Sequence, residues 1–401
     1  MRDAVLFISH EASRTGAPLM LLNFVRWFRE RAGIPFAVLA KYDGPLRSEF
    51  EALGPFFVFY RRGSWRVRIE GKLARMRGMP LPWMADPDPL RRLRKHGSVG
   101  LIYSNTVLNG DVLETMRGWR CPVITHAHEL EWNIQNWPMP GCVEPTFALT
   151  DRYVAASDAA LGNLVRNHGV RRDRVVRVYA PCDVSPDAAE TTPSEALERL
   201  RDLGVAPHRR IVISCGGITR RKGTDLFVQL AGRVVRQLGP QAPAFVWVGG
   251  SRSDAETEAM KRQIADGGLS RDVFLVGQTP YPADYLVLAD VFVLPSREES
   301  FGIVCLEAGA LGKPVVCFAS AGVAEVVRED GGIVVPHLDM DAMTSAVVRL
   351  LGDPALCGRL GTVLRGRVLR DHTIEVIGPQ LMRAMAQCAP EFLELQKWRA
   401  S

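Results

Sequence analysis

Short apolar segments alternate with helical segments twice along this 401-residue chain. Apolar runs of strand type occupy residues 4–10, 34–40, 56–60, 99–105, 121–129 and 152–157 in the first half, and 210–217, 244–250, 273–279, 291–295 and 313–318 in the second. Patterns of helical period lie between them, at residues 17–31, 224–238, 254–266 and 283–290. Alternation of strands and helices predicts a parallel sheet flanked by helices, and its repetition predicts one α/β domain in each half.

A segment rich in Pro, Thr, Ser, Asp and Ala, residues 185–194, separates the two series. Such composition is typical of a linker, and a chain of this length suits two cores better than one. We therefore predict domains at residues 1–185 and 186–375, followed by a helical segment at residues 376–401. Ligands of doubly wound sheets bind at the carboxyl ends of the strands, so candidate site residues are sought in the loops that follow strands.

The composition, with 47% hydrophobic and 23% charged residues, indicates a globular protein. The first apolar run, about six residues long, is too short for a signal peptide, and no run approaches the roughly 20 residues of a spanning helix. The eight cysteines form no CxxC pair. They are interpreted as reduced thiols, which predicts a cytoplasmic protein with neither a zinc site nor a disulfide framework.

Positive charge is concentrated in the first half of the chain. Residues 1–185 contain 26 Lys and Arg against 18 Asp and Glu, whereas the remainder contains 24 against 26. The excess lies within residues 61–95, where Trp65 and Trp83 accompany the basic residues. This combination suits an anionic membrane surface or a lipid-diphosphate acceptor, and a solvated basic face is the alternative. No nucleic-acid module is recognisable, so nucleic acid is not predicted as a partner.

Two glutamates mark the segment SREESFGIVCLEAGALGKPVV, residues 296–316. The pattern predicts a helix over residues 301–311 that Gly312 closes. Glu299 lies in the loop before this helix and Glu307 lies two turns further along. Loops after parallel strands hold the ligands of doubly wound folds, and the amino end of a helix offers free N–H groups to an anion. Because both glutamates lie at such a place, they are candidate site residues. The alternative is one capping glutamate and one solvated glutamate.

The loop GGITRRKGTD, residues 216–225, leaves a predicted strand and enters a predicted helix. Gly217 allows close backbone approach, and Arg220, Arg221 and Lys222 supply cations at the start of the helix. These features suit a diphosphate, because guanidinium groups bind two oxygens at once and the helix end adds positive potential. The glycine spacing is not that of a Walker loop. A solvated basic turn is the alternative.

The equivalent turn of the first half lies in residues 9–22, where Thr15, Gly16 and Ala17 open a helix. Their backbone can approach a phosphate or an acceptor. A single glycine before a helix would be weak evidence by itself.

Two alternating histidines follow another strand in THAHEL, residues 125–130. On an extended chain His126 and His128 point the same way, with Ala127 opposite. An imidazole can hydrogen-bond a sugar hydroxyl, and a purely structural pair is the alternative. Glu129 faces the other side, so no third metal ligand is available and no metal site is predicted.

Two further polar segments bear on the prediction of a ligand site. Asn105 ends the strand at residues 99–105 and is a candidate acceptor contact. Asp86 and Asp88 form a D-x-D motif, but they lie among prolines rather than at a strand end. We interpret them as a loop and a helix start, with Asp88 capping.

The segment E-S-F-G-I-V-C-L-E-A resembles the Glu-x7-Glu signature of retaining GT-B glycosyltransferases, the family 4 type also called glycosyl transferases group 1. The resemblance implies an α/β GT-B fold, with two Rossmann-like doubly wound parallel-sheet domains facing a cleft. It also implies a donor nucleotide on the second domain, an acceptor mainly on the first, and a last helix that packs back on the first domain.

The resemblance assigns roles to individual residues. Glu307 would bind the ribose, Glu299 would lie near the donor sugar, and Arg221 and Lys222 would hold the diphosphate. The commoner family arginine lies nearer the first glycine, where this chain has Gly217. The resemblance implies Glu299, His128 and Lys222 as the catalytic groups. The implied donor-binding residues are Gly16, Gly217, Arg221, Lys222, Phe301, Gly302, Ile303 and Glu307. Contacts to the acceptor or sugar are implied for His126, Asn105 and Glu325.

The predicted function is transfer of a sugar from a nucleotide-diphospho-sugar to an acceptor hydroxyl with retention, in surface polysaccharide or glycolipid assembly. Neither metal nor cofactor is expected, and the acceptor is expected to be a saccharide or lipid-linked saccharide. The protein would be cytoplasmic or peripheral on the inner face of the membrane. The alternatives are a non-catalytic partner subunit of the same fold and a sugar-nucleotide epimerase or hydrolase.

Overall fold

The computed structural model describes residues 4–60, 87–136, 139, 141–182, 194–251, 254–320 and 322–395. The chain forms two compact units. Unit 1 comprises Met1–Pro181 and Ile374–Ser401, and unit 2 comprises Cys182–Thr373. Most of the predicted linker and the basic residues 61–77, together with Trp65, Trp83 and Asp86, lie outside the described residues.

Unit 1 is built on a seven-stranded parallel sheet with the order β3-β2-β1-β4-β5-β6-β7. Its strands are β1 Ala4–Ser9, β2 Phe36–Tyr42, β3 Phe56–Tyr60, β4 Val99–Ser104, β5 Val123–Ala127, β6 Arg152–Ala155 and β7 Val175–Arg177. Its helices are α1 Gly16–Arg31, α2 Arg47–Leu53, α3 Pro87–His96, α4 Gly110–Glu114, α5 Glu131–Gln135, α6 Glu144–Leu149, α7 Asp158–Arg166, α16 Ile374–Cys388 and α17 Pro390–Leu395. The order reverses direction at β1, as in doubly wound folds.

Both faces of this sheet are covered by apolar side chains. Phe7 on β1 packs edge-on against Phe24 and Phe28 of α1, with ring centroids 5.9 and 5.1 Å apart. Helix α16 returns to the same face, where the Trp27 indole donates to Glu375 at 3.2 Å. Leu6 and other alternate residues of the strands form a second core cluster on the opposite face. The described part of the C-terminal segment thus packs within unit 1.

Unit 2 is built on a six-stranded parallel sheet with the order β10-β9-β8-β11-β12-β13. Its strands are β8 Ile211–Cys215, β9 Ala244–Val248, β10 Val273–Gly277, β11 Val291–Leu294, β12 Val315–Phe318 and β13 Gly332–Val335. Its helices are α8 Ser194–Asp202, α9 Thr224–Leu238, α10 Ala255–Asp266, α11 Ala283–Leu286, α12 Ile303–Ala310, α13 Gly322–Gly331, α14 Met340–Gly352 and α15 Pro354–Asp371. Asp254, Asp339 and Asp353 each accept a backbone hydrogen bond at the start of a helix, which fixes where α10, α14 and α15 begin.

The structure differs from the sequence-based assignment at a few elements. Strands β7 and β13 were not predicted, because β7 has three residues and ends in an arginine, while β13 begins at a glycine after a helix. Helix α12 begins at Ile303 rather than at residue 301, since Gly302 has a left-handed φ of 74°. Helix α11 spans only Ala283–Leu286 of the predicted 283–290. Within the described residues, no helix has both the length and the apolar character needed to cross a membrane.

Candidate functional site

Two loops of unit 2 meet at one edge of its sheet, because β8 and β11 are neighbouring parallel strands. The loop after β8 carries the predicted basic residues and the loop after β11 carries Glu299. They are joined by main-chain contacts: the Arg297 N–H donates to the Arg221 carbonyl at 2.8 Å. In return, the Arg221 guanidinium donates to the Glu298 carbonyl at 2.8 Å. The two motifs, far apart in sequence, therefore form one site at the carboxyl ends of the strands.

Glu299 lies at the centre of this site and is only 7% exposed. Its Oε2 accepts from the Lys222 ammonium at 2.5 Å and lies 3.8 Å from the Arg221 guanidinium. The Ser296 hydroxyl is 3.5 Å from the same oxygen. Burial acts to raise the pKa of Glu299, but the charges of Lys222 and Arg221 and the hydrogen bonds outweigh it, so the pKa is lowered. The carboxylate is therefore ionised and paired with two cations.

Glycines shape the loop around Lys222. A Cβ on Gly216 would lie 3.6 Å from the Lys222 Cε, so the lysine chain runs across this residue. A Cβ on Gly217 would meet nothing within 4 Å, which places open space beside the cations. Gly223 has a φ of 70°, and a Cβ there would lie 1.9 Å from the Pro295 carbonyl oxygen. Glycine at this position allows the start of α9, at Thr224, to lie directly beside the end of β11.

The signature helix α12 begins beside Glu299. A Cβ on Gly302 would lie 3.2 Å from the Glu299 Cγ, and no acidic residue occupies the first turn of the helix. Phe301 is buried, with its ring centroid 5.7 Å from that of His372. The Phe301 side chain therefore packs in the interior of unit 2. Ile303, at the first position of α12, is half-buried.

Glu307 lies in the second turn of α12. It is half-buried on α12, and its charge reaches the thiol of Cys215, the last residue of β8. Burial first, and then this carboxylate, raise the pKa of the Cys215 thiol to about 12. Glu307 therefore lies near the start of the loop that carries Lys222, as a donor-binding role would require.

Glu325 occupies the first turn of α13 and is half-buried. The N–H of Gly322 at the start of this helix donates to the Glu299 carbonyl at 3.2 Å. The segment that carries Glu325 thus adjoins the loop of Glu299 through its backbone.

In unit 1 the predicted residues are brought together at the carboxyl ends of β4 and β5. The rings of His126 and His128 lie side by side, with centroids 4.1 Å apart. The His128 Nε2 is 3.1 Å from the Asn105 Oδ1, and the Asn105 amide donates to the Ala17 carbonyl at 2.8 Å. Asn105 therefore connects His128 to the first turn of α1, which begins at Gly16.

The two histidines differ in their surroundings. His126 is fully buried, its Nδ1 lies 2.7 Å from the Tyr103 hydroxyl, and no described residue bonds to its Nε2. His128 is half-buried. Burial lowers the pKa of His126 well below its usual value, and burial with the His10 charge lowers that of His128 to about 3. Both imidazoles are therefore neutral near pH 7, and His128 is the more exposed of the two.

The Glu129 carboxylate is buried and accepts three hydrogen bonds. It accepts from the Thr106 hydroxyl and from the backbone N–H groups of Val107 and His128, at 3.3 and 3.1 Å for the latter two. It is a buried structural acceptor in the described unit. In the part of the chain that the structure describes, no cluster of three or more His, Cys, Asp or Glu is arranged to hold a metal ion.

Sequence reasoning missed several residues of the site in unit 2. Arg297 forms a bidentate pair with Asp225, with both distances 2.7 Å. Gly249 and Gly250 both have positive φ, and their Cβ positions would lie 2.5 Å from the Gly216 oxygen and from the Ile218 side chain. Paired glycines after an apolar run were a usable signal for the second feature. No sequence signal pointed to the partner of Arg297.

Comparison with known proteins finds similarity to glycosyltransferases. The family model Glycosyl transferases group 1 matches residues 209–353. The D-inositol 3-phosphate glycosyltransferase of Acidothermus cellulolyticus is 30% identical over 313 residues, which are 71% of this chain and 67% of that relative. That of Nocardia farcinica is 30% identical over 287 residues, 66% of this chain and 61% of the relative. The chain thus spans about two thirds or less of the length of these curated relatives.

Solved structures share the two-unit fold. Anabaena Alr3699/HepE in complex with UDP-glucose has a TM-score of 0.78 at 19% identity, covering 96% of this chain and 99% of that one. WaaG, a glycosyltransferase involved in lipopolysaccharide biosynthesis, has a TM-score of 0.70 at 13% identity, covering 95% and 99%. The likeness, with the two parallel sheets, confirms the predicted GT-B fold.

Proposed function

We propose that this chain, which belongs to the glycosyl transferases group 1 family, transfers a glycosyl group from a nucleotide-diphospho-sugar to an acceptor hydroxyl. The observation that carries the proposal is the cluster of Lys222, Arg221 and Glu299 at the start of α9. Two cations beside a helix amino end suit a diphosphate, and a Cβ on Gly217 in the same loop would meet nothing within 4 Å. The complex of Anabaena HepE with UDP-glucose supports a nucleotide-sugar as the donor class.

The leaving diphosphate would be stabilised by this cluster. As the bond to the sugar breaks, negative charge develops on the phosphate oxygens, and Lys222, Arg221 and the N–H groups of α9 would stabilise that charge. Binding would transfer the Lys222 ammonium from the Glu299 carboxylate to the phosphate. These cations would supply the neutralising charge that a metal supplies elsewhere, so we propose that the reaction is metal-independent.

The two signature glutamates would divide the recognition of the donor. Glu307 would accept hydrogen bonds from the ribose hydroxyls, and Glu299 would orient the donor sugar or support its developing positive charge. Retention of configuration follows from the resemblance of this signature to retaining enzymes. The proton of the acceptor hydroxyl would leave through the departing phosphate oxygen.

We propose His128 and Asn105 as the hydrogen-bonding groups that unit 1 offers to a sugar hydroxyl. The Nε2–H of His128 donates to the Oδ1 of Asn105 at 3.1 Å, so a sugar hydroxyl would take the place of one partner in this bond. The neutral imidazole can act as donor or acceptor without adding charge. His126 would act behind it, through ring contact and its bond to Tyr103.

The acceptor would be a saccharide or lipid-linked saccharide of surface polysaccharide or glycolipid assembly. Helix α3 carries exposed Arg91, Arg94 and Lys95, and the Arg94 guanidinium lies 5.1 Å from the Trp119 ring. We propose that this helix contributes to peripheral contact with an anionic membrane on the cytoplasmic side. Because the curated relatives are named for D-inositol 3-phosphate, that compound is the first soluble acceptor to test.

A nucleotide panel tests the proposed donor site. The midpoint of thermal unfolding is measured with UDP, GDP, ADP, TDP and CMP for the natural chain and for Glu307→Ala. A nucleotide at about 100 times its dissociation constant should stabilise the chain by about 2.7 kcal/mol. We expect one diphosphate to raise the midpoint of the natural chain and to have little effect on the variant. No shift with any nucleotide would contradict the proposed donor site.

Three finer points need their own measurements. Retention is tested by NMR of the product anomer, and inversion would contradict it.

Metal independence is tested by transfer in the presence of a chelator, and lost activity that Mg²⁺ restores would contradict it. Membrane contact is tested by cosedimentation with anionic and with neutral vesicles, and equal binding to both would contradict the electrostatic argument.

A further inference from the structure

We propose that Arg297 and Asp225 are positioning residues that hold the loop of Arg221 and Lys222 in the conformation that binds a diphosphate. The inference rests on the proposed function of this loop. Neither residue belongs to the predicted ligand contacts. The proposal concerns how the contacting cations are kept in place.

The first observation is the geometry of the pair. The Arg297 Nη1 and Nη2 atoms donate to the two carboxylate oxygens of Asp225, each at 2.7 Å. Asp225 lies in the first turn of α9, directly after the basic loop. A bidentate pair fixes orientation as well as distance, because the planar guanidinium matches the carboxylate in only one arrangement. The loop after β11 is thereby attached to the start of α9.

The second observation is that Arg297 also bonds the basic loop itself. Its Nη1 donates to the Arg220 carbonyl at 2.7 Å, and its backbone N–H donates to the Arg221 carbonyl at 2.8 Å. These carbonyls belong to the peptide units directly before Arg221 and Lys222. Arg297 therefore sets the backbone from which both cationic side chains extend.

The third observation is electrostatic. The Arg297 side chain is 24% exposed, and the carboxylate of Asp225 balances its charge. Lys222 and Arg221, by contrast, share the single carboxylate of Glu299. A diphosphate would therefore be met by Lys222 and Arg221, while Arg297 acts through them. Displacements of about 1 Å can cost up to about 100-fold in function, so this support has a measurable effect.

The test is calorimetric titration of the full chain with UDP, GDP and ADP. Arg297→Lys keeps the charge but removes the planar fork, and we expect the dissociation constant of the bound nucleotide to rise about tenfold. Asp225→Asn, which keeps the size of the side chain, should have a similar effect. Arg233→Lys is the matched control. Arg233 lies on α9, as Asp225 does, and it pairs with the exposed Asp341. We expect less than a twofold change, of the size usual for exposed pairs.

A double-variant cycle separates positioning from direct contact. If Arg297 acts by placing both cations, then Arg297→Lys should have little further effect in a chain that already carries Arg221→Met and Lys222→Met. In addition, ethylguanidinium should restore nucleotide binding to Arg297→Ala by filling the fork, whereas ethylammonium at the same ionic strength should not. Circular dichroism without ligand checks that each variant is folded.

The outcomes are distinct. If the natural chain binds none of the nucleotides, the proposed donor site itself is wrong. If it binds one and both Arg297→Lys and Asp225→Asn bind it equally well, the positioning role is wrong while the proposed function stands. If Arg297→Lys weakens binding by the same factor in the Arg221→Met, Lys222→Met chain as in the natural chain, Arg297 contacts the ligand directly, which also overturns the positioning role.

Discussion

At the scale of single residues, the proposed donor site depends on one buried carboxylate that is held ionised by two cations. Glu299 accepts from Lys222 and lies beside Arg221, and this environment lowers its pKa in spite of burial. The identities of Glu299 and Lys222 were predictable from short motifs. Their mutual contact was not, because the two residues are 77 positions apart.

This pair predicts a pH dependence of stability. The pKa of Glu299 is lower in the folded chain than the ordinary value of 4.5, so the unfolded chain binds a proton more readily. The stabilisation is therefore complete above the unfolded pKa and is lost as the pH falls through the folded pKa. Urea unfolding of the natural chain and of Glu299→Gln, from about pH 7 to about pH 3, measures it. The free-energy difference between the two should shrink toward acid pH, and a constant difference would contradict the pairing.

A second residue-scale prediction concerns His128. Because burial lowers its pKa to about 3, the imidazole does not titrate near neutral pH. We expect the pH profile of kcat/KM for His128→Gln to run parallel to that of the natural chain, with lower values throughout. A slope near the ordinary histidine pKa that disappears only in the variant would show that His128 does titrate. His126→Gln is the comparison variant, because the His126 ring is fully buried and is proposed to act behind His128.

At the scale of elements, turn residues decide how closely the loops approach each other. The strand–helix alternation was readable from period and composition, and most elements were located within a few residues. The start of α12 shifted because Gly302 adopts a left-handed conformation, which the apolar pattern does not reveal. Strands β7 and β13 were missed because they are only three and four residues long, and pairing with a neighbouring strand makes such short segments strands.

Gly223 provides the prediction at this scale. A side chain at a φ of 70° is strained, and a Cβ would lie 1.9 Å from the Pro295 oxygen. We expect Gly223→Ala to lower the free energy of unfolding by about 1–3 kcal/mol and to weaken nucleotide binding, because the loop must shift. The control is Gly358→Ala in α15, where a Cβ meets nothing, and helix propensity predicts a gain of about 0.5–1 kcal/mol. Urea unfolding and calorimetry measure both, and equal behaviour of the two variants would contradict the close approach.

At the scale of the whole molecule, the chain ends in the unit where it begins. Helix α16 packs against α1, and a Cβ on Gly378 would lie 2.5 Å from the Trp27 ring. The resemblance to a known family implied this return, whereas composition and periodicity indicated only a helical segment. Contacts between the two ends of a chain depend on the completed fold.

Gly378→Val tests this packing. The added side chain must displace the Trp27 indole, so we expect a lower midpoint of thermal unfolding and a change in tryptophan fluorescence. The dissociation constant for nucleotide should stay the same in the folded variant, since Arg221, Lys222, Glu299 and Glu307 lie in unit 2. Gly366→Ala in α15 is the control, because a Cβ there meets nothing within 4 Å. An unchanged midpoint for Gly378→Val would contradict the close contact with Trp27.

Taken by itself, the sequence determined the α/β class, the two-sheet organisation and the motif that carries Glu299 and Glu307. These features are local, since strand and helix period, caps and a ten-residue signature are properties of neighbouring residues. Only the tertiary structure decided that Glu299 meets Lys222, that Arg297 holds the loop through Asp225, and that His126 is buried while His128 is half-exposed. Those contacts arise because parallel strands bring the loops after β8 and β11 to one edge of a sheet. The distance between such loops is set by sheet order and by side-chain packing, which no local pattern contains.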